Sequence, residues 1–374
     1  MPIALKKRRL RLPLSSKGMS SRRVCSMDEQ AILTSVKQVL GEQYGQSNCS
    51  LASLNTRSLD DERLVYKMYR VDVPGNLSWV MCAAHDELSA SSTFQWGEHV
   101  TPMVWLEQRA MLLNALASQE YPAPRVIRAR AGESVVRSGS WSVVMTTFTD
   151  GQLSQFVPEA LSQAGTLLAR LHTLPEIMPP WPSWWNTAYS LPHAIEELEK
   201  VSASIPASHH MFHRACHTTL LKLLHALPTL PEVLIHGDCW MQNAVLSSGG
   251  IVFIDWESAG RGAAIVDLAD FLLRSQCDAY GAPPHAISEP HIIAAVSGYA
   301  VHRMPSEPEL DLLVDATCFS CVWRAAWMFS RVQALGWTPR VEQGLARVQA
   351  TYAIAEQTAR IARSAFQEFG TVIS

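Results

Sequence analysis

A polar segment in the second half of the chain, residues 236–257, carries residue types that could hold a metal ion and accept a proton. It reads HGDCWMQNAVLSSGGIVFIDWE, in which two apolar runs flank a Ser-Ser-Gly-Gly turn. We predict a β-hairpin centred on Gly249, which places Asn243 opposite Asp255. Cross-strand Cβ atoms lie about 4.5–5.5 Å apart. An amide oxygen and a carboxylate at this spacing suit Mg²⁺, which takes one or two protein oxygens and completes its shell with water and phosphate.

The loop before the hairpin brings a second carboxylate to the same place. Residues 236–242 enter the open end of the hairpin, so Asp238 is expected close to the metal without being a ligand. In that position it can act as a base. His236 allows another interpretation, in which His236 and Asp238 form the H-x-D metal pair of a hydrolase.

The spacing of these residues resembles a known family. The pattern H-G-D-x-x-x-x-N, followed twelve residues later by the Asp of I-D-W-E, is similar to the catalytic segment of aminoglycoside phosphotransferases and choline kinases, which are relatives of protein kinases. Four weaker motifs occur in the family's order. They are LEQRAMLLNAL around Glu107, YPAPR at 121–125, LARLH at 168–172 and VDLAD at 266–270.

The resemblance implies a reaction and roles for three residues. It implies transfer of the γ-phosphate of ATP to a hydroxyl of a small molecule, an aminoglycoside-, choline- or sugar-like acceptor, with Mg²⁺ as cofactor. Asp238 would be the catalytic base towards the substrate hydroxyl, and Asn243 and Asp255 would be the magnesium ligands. Phosphoryl transfer has a loose transition state, so Asp238 needs only to orient the hydroxyl and accept its proton late.

The resemblance also implies a nucleotide site. Glu107 would belong to the helix that orients the phosphate-binding lysine. The hinge between the lobes, at Thr146, Thr147 and Phe148, would contact the adenine through backbone groups.

The lysine itself is missing from its expected place. The strand that should carry it reads WVMCAA, and the expected position falls on Cys82 or a neighbour. Lys67, on the preceding strand, supplies the charge if its side chain faces the cleft. The alternative is a pseudoenzyme that binds a nucleotide or a partner without transfer.

The predicted elements divide the chain into a small β-rich part and a larger helical part. Before residue 151 we predict helices at 27–40 and 103–117 and strands at 64–73, 77–83, 126–129 and 141–147. After it we predict helices at 158–172, 193–202, 208–227, 292–302 and 309–335 and strands at 233–235, 243–246 and 251–254. With the resemblance, this order predicts an α+β, protein-kinase-like fold with an N-lobe over residues 28–147 and a C-lobe over residues 148–374.

Composition limits the class of protein. Residues 1–27 carry eight basic and no acidic residues, which predicts a disordered tail, although a transit peptide or an arm for an anionic surface stays open. No run approaches the roughly 18 apolar residues of a membrane span. The eight cysteines are scattered, which favours a reducing, cytoplasmic location. We expect no nucleic-acid partner, and the sequence leaves the oligomeric state open.

Several other patterns have a structural and a functional interpretation. We favour the structural one for each: a polar helix face for His209, His213 and His217, buried thiols for Cys318 and Cys321, and core packing for Trp323 and Trp327. Of Asp267 and Asp270, we expect one to anchor the catalytic loop and one to be a helix-surface charge. A polycationic acceptor would require carboxylates at the cleft, with Glu307, Glu309, Asp311 and Asp315 as candidates.

Overall fold

The structure, a computed structural model, describes residues 29–54, 66–75, 77–85, 102–154, 156–175, 191–277, 283 and 286–373. The predicted basic tail at 1–27 lies outside these residues. The fold is a small antiparallel sheet followed by a larger helical part, as the sequence predicted.

In its described residues, the first part is a six-stranded antiparallel sheet with two helices. Its strands run in the order β1-β2-β3-β6-β4, and β5 pairs with β6. In chain order the elements are α1 (Glu29–Tyr44), β1 (Ser50–Ser53), β2 (Tyr66–Val73), β3 (Leu77–His85), α2 (Pro102–Ser118), β4 (Val126–Ile127), β5 (Val135–Ser138) and β6 (Trp141–Thr147).

The two faces of this sheet bury different side chains. Side chains alternate along a strand, so neighbours in sequence face opposite sides. Met81 and Ala83 of β3 pack with α1 in a small core of their own. Cys82 and Ala84 belong to the large core that includes α2 and the C-terminal helices. The face that carries Cys82 is therefore the one turned towards the rest of the protein.

The second part is mainly helical, with two small sheets that shape the loops between them. The strands pair as β10-β9-β7 and β11-β8. The elements are β7 (Gln152–Leu153), α3 (Pro158–His172), α4 (Leu191–Val201), α5 (His210–Ala226), β8 (Glu232–Ile235), β9 (Ala244–Ser247), β10 (Gly250–Phe253), β11 (Gly260–Ala263), α6 (Ala264–Arg274), α7 (Glu289–Ala300), α8 (Glu307–Asp311), α9 (Leu313–Leu335) and α10 (Pro339–Ile373).

Two helical regions differ from the prediction. The helix expected at 309–335 is two helices, because Ser306 and Glu309 form a capping box that starts the short α8, and a new helix begins at Leu313. The 35-residue α10 was not predicted. Its buried positions include Ala355, Ala359 and Ala362, and alanines give little hydrophobic periodicity in a sequence.

Close packing of α3 on α7 depends on two glycines, and this gives a testable prediction. A Cβ on Gly298 would overlap the Ser162 carbonyl oxygen, and a Cβ on Gly165 would overlap that of Ala295. We expect Gly298→Ala to lower the free energy of unfolding by about 1–3 kcal/mol, because neither backbone can move locally. Urea denaturation measures this change.

A glycine in another helix provides the control. In α10, a Cβ on Gly344 would meet only the flexible Met328 side chain. Gly344→Ala should therefore be close to neutral, since alanine's higher helix propensity offsets the contact by up to about 1 kcal/mol. Equal destabilisation by the two substitutions would contradict the packing argument.

Candidate active site

The loop between β8 and β9 holds Asp238 in a defined orientation. The Asn243 Nδ2 donates to Asp238 Oδ2 at 2.7 Å and to the Asp238 carbonyl oxygen at 2.9 Å. Arg274, at the end of α6, donates to the other carboxylate oxygen. The carboxylate is thus fixed on both oxygens, while 36% of the side chain stays exposed to the cleft.

Asp267 anchors this loop from below. Its carboxylate accepts the backbone N–H groups of His236 at 2.7 Å and of Gly237 at 2.9 Å. Gly237 has a φ of +76°, and a Cβ there would overlap the Ser258 carbonyl oxygen, so the position requires glycine. The prediction that one aspartate of this pair is a structural anchor is confirmed for Asp267.

A buried chain of hydrogen bonds holds Asp267 in turn. His172 Nε2 lies 3.1 Å from Asp267 Oδ2, and its Nδ1 lies 2.7 Å from the Tyr299 hydroxyl. Arg303 donates to that hydroxyl at 2.9 Å. A carboxylate only accepts, so the His172 proton is on Nε2 and Tyr299 donates to Nδ1. Burial lowers the pKa of His172 despite the Asp267 carboxylate, which agrees with a neutral ring.

Asp270 does not have the surface role that the sequence suggested. Its side chain is only 14% exposed and lies 3.2 Å from Arg274 Nη1, so the same guanidinium bridges Asp238 and Asp270. The expectation of a helix-surface charge was wrong for Asp270, because its side of α6 faces the cleft.

His236 is a structural residue of the loop and not a metal ligand. It is fully buried, its Nε2 lies 3.1 Å from the Ile254 carbonyl oxygen, and its ring packs on Trp256 with 4.5 Å between centroids. The hydrolase interpretation, which needs His236 to coordinate a metal, therefore fails. Among the described residues, no group of three or more His, Cys, Asp or Glu side chains has the arrangement of a metal site.

The hairpin forms as predicted, but its register differs by one residue. Ser247 pairs with Gly250 and Ala244 with Phe253, so the turn is Ser248-Gly249 and not a turn centred on Gly249. Continuing this register puts Asn243 beside Ile254, whose N–H donates to the Asn243 carbonyl oxygen at 2.8 Å. The predicted direct opposition of Asn243 and Asp255 was wrong, because a two-residue turn shifts the pairing.

Asp255 begins a sharp change of direction after β10. Its φ is +65°, in the left-handed region that aspartate tolerates better than most residues. Its Oδ1 is buried and accepts no hydrogen bond from the described residues. Burial raises the pKa of Asp255, and the Asp238 charge raises it further, while Arg109 and His236 act in the opposite direction.

Asn243 and Asp255 have side-chain oxygens that suit a divalent cation. The Asn243 amide nitrogen is engaged by Asp238, which leaves its side-chain oxygen as the ligand atom. Asp255 provides a buried carboxylate oxygen without a hydrogen-bond donor, and a hard cation supplies what that oxygen lacks. The donor set is therefore suitable for Mg²⁺.

Arg274 is a site residue that the sequence analysis missed. Besides Asp238 and Asp270, it stacks on Trp240 with its guanidinium carbon 3.8 Å from the ring centroid. Desolvation raises the pKa of Asp238, but the charge and hydrogen bond of Arg274 outweigh it, and the pKa stays below its usual value. The available signal was the i,i+4 spacing of Asp270 and Arg274 on one helix.

The sheet and α2 set the directions of two side chains that were predicted to help bind the nucleotide. Lys67 pairs with Ala83, so it shares the face that packs on α1, while Met68 pairs with Cys82 on the cleft face. Lys67 thus points away from the cleft. Glu107 is exposed on α2, whose inward-facing neighbours include Leu106 and the buried Arg109.

The predicted hinge lies at the end of β6. Thr146 is buried and paired within the sheet. The Thr147 N–H donates to the Arg125 carbonyl oxygen at 2.8 Å, and the Phe148 N–H donates to that of Ser78 at 3.0 Å. These two amides are therefore engaged within the protein, and contact of this segment with adenine stays a prediction.

A cavity opens beside Asp238. Its volume is about 220 Å³, and it continues from the catalytic loop to α9. Trp323 and Arg324 line it together with Phe319 and Ser320, which lie one turn earlier on the same helix. Trp323 is half-buried and also packs on the core, so it has both the predicted core role and a position in the cavity wall.

The acidic residues proposed for a polycationic acceptor lie elsewhere. None of them lines this cavity, and each has a basic partner. Glu307 and Asp311 pair with Arg363, Glu309 pairs with Arg303, and Asp315 pairs with Lys222.

The remaining patterns have structural roles, as expected. His213 Nε2 lies 2.9 Å from the Leu198 carbonyl oxygen, His217 lies 3.2 Å from Glu199, and His209 stacks on Trp337. Cys318 and Cys321 are buried. The described part of the chain has no helix with the length and apolarity needed to cross a membrane.

The small antiparallel sheet and the larger helical part form a protein-kinase-like fold. The sequence profile of the phosphotransferase enzyme family matches residues 103–289, which is half of the chain. This chain therefore belongs to that family. A search of curated proteins finds no match to the sequence.

Several solved structures with a similar fold are kinases of small molecules. An amicoumacin kinase (hAmiN) in complex with AMP-PNP, Ca²⁺ and Ami has a TM-score of 0.63 at 14% identity, covering 91% of this chain and 97% of that one. A Plasmodium vivax ethanolamine kinase has a TM-score of 0.58 at 13% identity, covering 89% of this chain and 91% of that one. A spectinomycin phosphotransferase in complex with ADP and spectinomycin has a TM-score of 0.57 at 14% identity, covering 89% of this chain and 98% of that one. At these identities the similarity establishes the fold.

Proposed function

We propose that this protein is a kinase that transfers the γ-phosphate of ATP, in the presence of Mg²⁺, to a hydroxyl of a small acceptor. The observation that carries the proposal is a fixed carboxylate, Asp238, which opens to a cavity, is hydrogen-bonded to Asn243 and lies within electrostatic reach of the buried Asp255. We assign nucleotide binding to residues 28–147 and catalysis to residues 148–374. The described cysteines form no disulfide with one another, which supports a reducing, cytoplasmic location.

In this proposal the protein mainly positions its substrates. Asp238 accepts a hydrogen bond from the acceptor hydroxyl and takes its proton as the new O–P bond forms and the bond to ADP breaks. Arg274 and Asn243 keep the carboxylate ionised and correctly oriented. Asn243 and Asp255 would hold the Mg²⁺, which neutralises charge on the phosphate oxygens when bound.

The cavity suggests the class of acceptor. Its volume, about 220 Å³, is below the roughly 300 Å³ at which pockets for drug-sized ligands begin. Three carboxylates line the cavity: Asp238 and Asp270 share one cation, Arg274, and Asp267 is held by the backbone N–H groups of the loop. Arg324 adds a second positive charge without an ion-pair partner among the described residues. We therefore propose a small acceptor that is neutral or carries one anionic group, and not a polycation.

The proposed function is tested by acceptor-dependent ADP release. The full-length protein is incubated with MgATP and a panel of short amino alcohols, neutral polyols and hydroxy acids, with spectinomycin as a bulky cationic comparison. We expect a neutral polyol or a hydroxy acid to stimulate ADP release, and the amino alcohols and spectinomycin to stimulate it less. MgATP binding with no stimulation by any acceptor would instead favour a pseudoenzyme, an alternative that the comparisons do not support.

A substitution at Arg324 tests the acceptor class separately. For a hydroxy-acid acceptor, Arg324→Gln should raise KM by about tenfold or more, since a charge-assisted hydrogen bond contributes about 1.5–3 kcal/mol. The KM for a neutral polyol should change little. Arg360→Gln, an exposed arginine on α10, serves as the control. Preference for amino alcohols, unchanged in Arg324→Gln, would refute the acceptor class and leave the kinase assignment intact.

A further inference from the structure

The cleft face of β3 has no residue that can provide a positive charge. Cys82 occupies the position where the sequence analysis expected a lysine, and burial raises the pKa of its thiol to about 12. Lys67 lies on the opposite face of the sheet. On β2, Arg70 shares the cleft face with Met68, but it is paired with Asp72 at 2.7 Å and lies over the Phe148 ring at the other end of the strand. Neither Cys82 nor its partner Met68 therefore offers a cation to the nucleotide phosphates.

A cation does approach this position from the neighbouring helix. Arg109 of α2 is 92% buried, and its guanidinium lies against the Cys82 thiol. Its Nη1 is 3.5 Å from the Glu257 carboxylate, whose side chain is 17% exposed. Burial raises the pKa of Asp255, and the positive charge of Arg109 opposes this rise. The guanidinium is therefore within electrostatic reach of the proposed metal ligand.

Burying a guanidinium in this way has a large desolvation cost, which the surrounding acids offset. Arginine stays charged at any physiological pH and offers a planar set of donors that matches phosphate oxygens. An arginine between the strand, the proposed metal ligand and Glu257 is thus suited to hold the phosphates of a metal-bound nucleotide.

We propose that Arg109 is the phosphate-binding residue of the nucleotide site, oriented by Glu257. The cation is on the helix, and its acidic partner follows Asp255 in the I-D-W-E segment. This inference rests on the proposed function, because it assumes that the cleft binds a nucleotide triphosphate. It gives a specific reason why the missing lysine does not make the site inactive.

The first measurement is nucleotide binding by titration calorimetry. Arg109→Met should bind MgATP about 10- to 100-fold more weakly than the wild type, because a charge-assisted hydrogen bond to phosphate is lost. Adenosine, which has no phosphate, should bind with unchanged affinity. Arg109→Lys should lose less MgATP affinity than Arg109→Met. Arg128→Gln, an exposed arginine of the same sheet region, is the matched control.

A charge exchange provides a second, independent test. Arg109→Glu alone should bind MgATP more weakly than Arg109→Met, because it places another negative charge beside Asp255. The double variant with Cys82→Lys moves the cation to the strand and the acid to the helix. We expect it to recover most of the MgATP affinity that Arg109→Glu loses.

The outcomes separate this inference from the proposed function. If the wild type binds no MgATP, the nucleotide site and this inference both fail. If the wild type binds MgATP and Arg109→Met binds it equally well, only the inference is overturned. Equal loss of adenosine and MgATP, with a lowered melting temperature, would make Arg109 a structural link to Glu257 and would also overturn the inference.

Discussion

Replacing Asp238 with Asn should lower turnover by about 10² to 10⁴, the usual contribution of a positioned acid or base. The amide has nearly the same shape as the carboxylate, but it cannot take the proton of the acceptor hydroxyl. The variant loses the negative charge beside Arg274. The loop nevertheless keeps its position, because Asp267 holds the backbone N–H groups of His236 and Gly237. MgATP affinity and the melting temperature should therefore change little.

Single-turnover phosphate transfer measures this effect, because it reports the chemical step. Asp311→Asn, an exposed aspartate that does not line the cavity, is the matched control and should behave like the wild type. Wild-type turnover by Asp238→Asn, with chemistry rate-limiting, would remove Asp238 from the mechanism.

Replacing Asp255 with Ala should abolish Mg²⁺-dependent nucleotide binding. Asp255 contributes the formal negative charge of the metal site, whereas Asn243 contributes only an amide dipole. Its Oδ1 is buried without a hydrogen-bond donor among the described residues, so no protein group replaces the metal there. Calorimetry with ATP, with and without Mg²⁺, measures the difference.

Two further variants separate loss of the ligand from strain in the backbone. Asp255 has a positive φ, at which alanine is less favourable than aspartate or asparagine. Asp255→Asn retains this preference but removes the charge, and it should also lose Mg²⁺-dependent binding. Asn243→Ala should have a milder effect. Unchanged MgATP affinity in Asp255→Asn would argue against the metal assignment.

Much of the fold could be predicted because local patterns and local structure agree. The strand at Trp141–Thr147 and the helix at Pro158–His172 have the bounds that the sequence predicted. Helix α10 escaped detection because its buried stripe is rich in alanine, which has little hydrophobic contrast. The one-residue shift of the β9–β10 hairpin has a similar cause, since two adjacent glycines leave the exact turn undetermined by composition.

The sequence by itself determined the family of this protein and the three residues proposed for its active site. The H-G-D-x-x-x-x-N and I-D-W-E motifs lie within 22 residues of one another, so a short loop and a hairpin bring Asp238, Asn243 and Asp255 into one region. Short-range geometry is encoded locally, and it could be argued without knowledge of the remaining chain.

Only the tertiary structure decided which other side chains enter the cleft. Lys67 and Glu107 had suitable chemistry, but the sheet register turns Lys67 away from the cleft and the rotation of α2 turns Glu107 away. The same register and rotation bring Cys82 and Arg109 inwards. Arg274 reaches Asp238 from a helix 36 residues later in the chain. The direction of a side chain depends on which face of its strand or helix is buried, and that face is set by packing between distant segments.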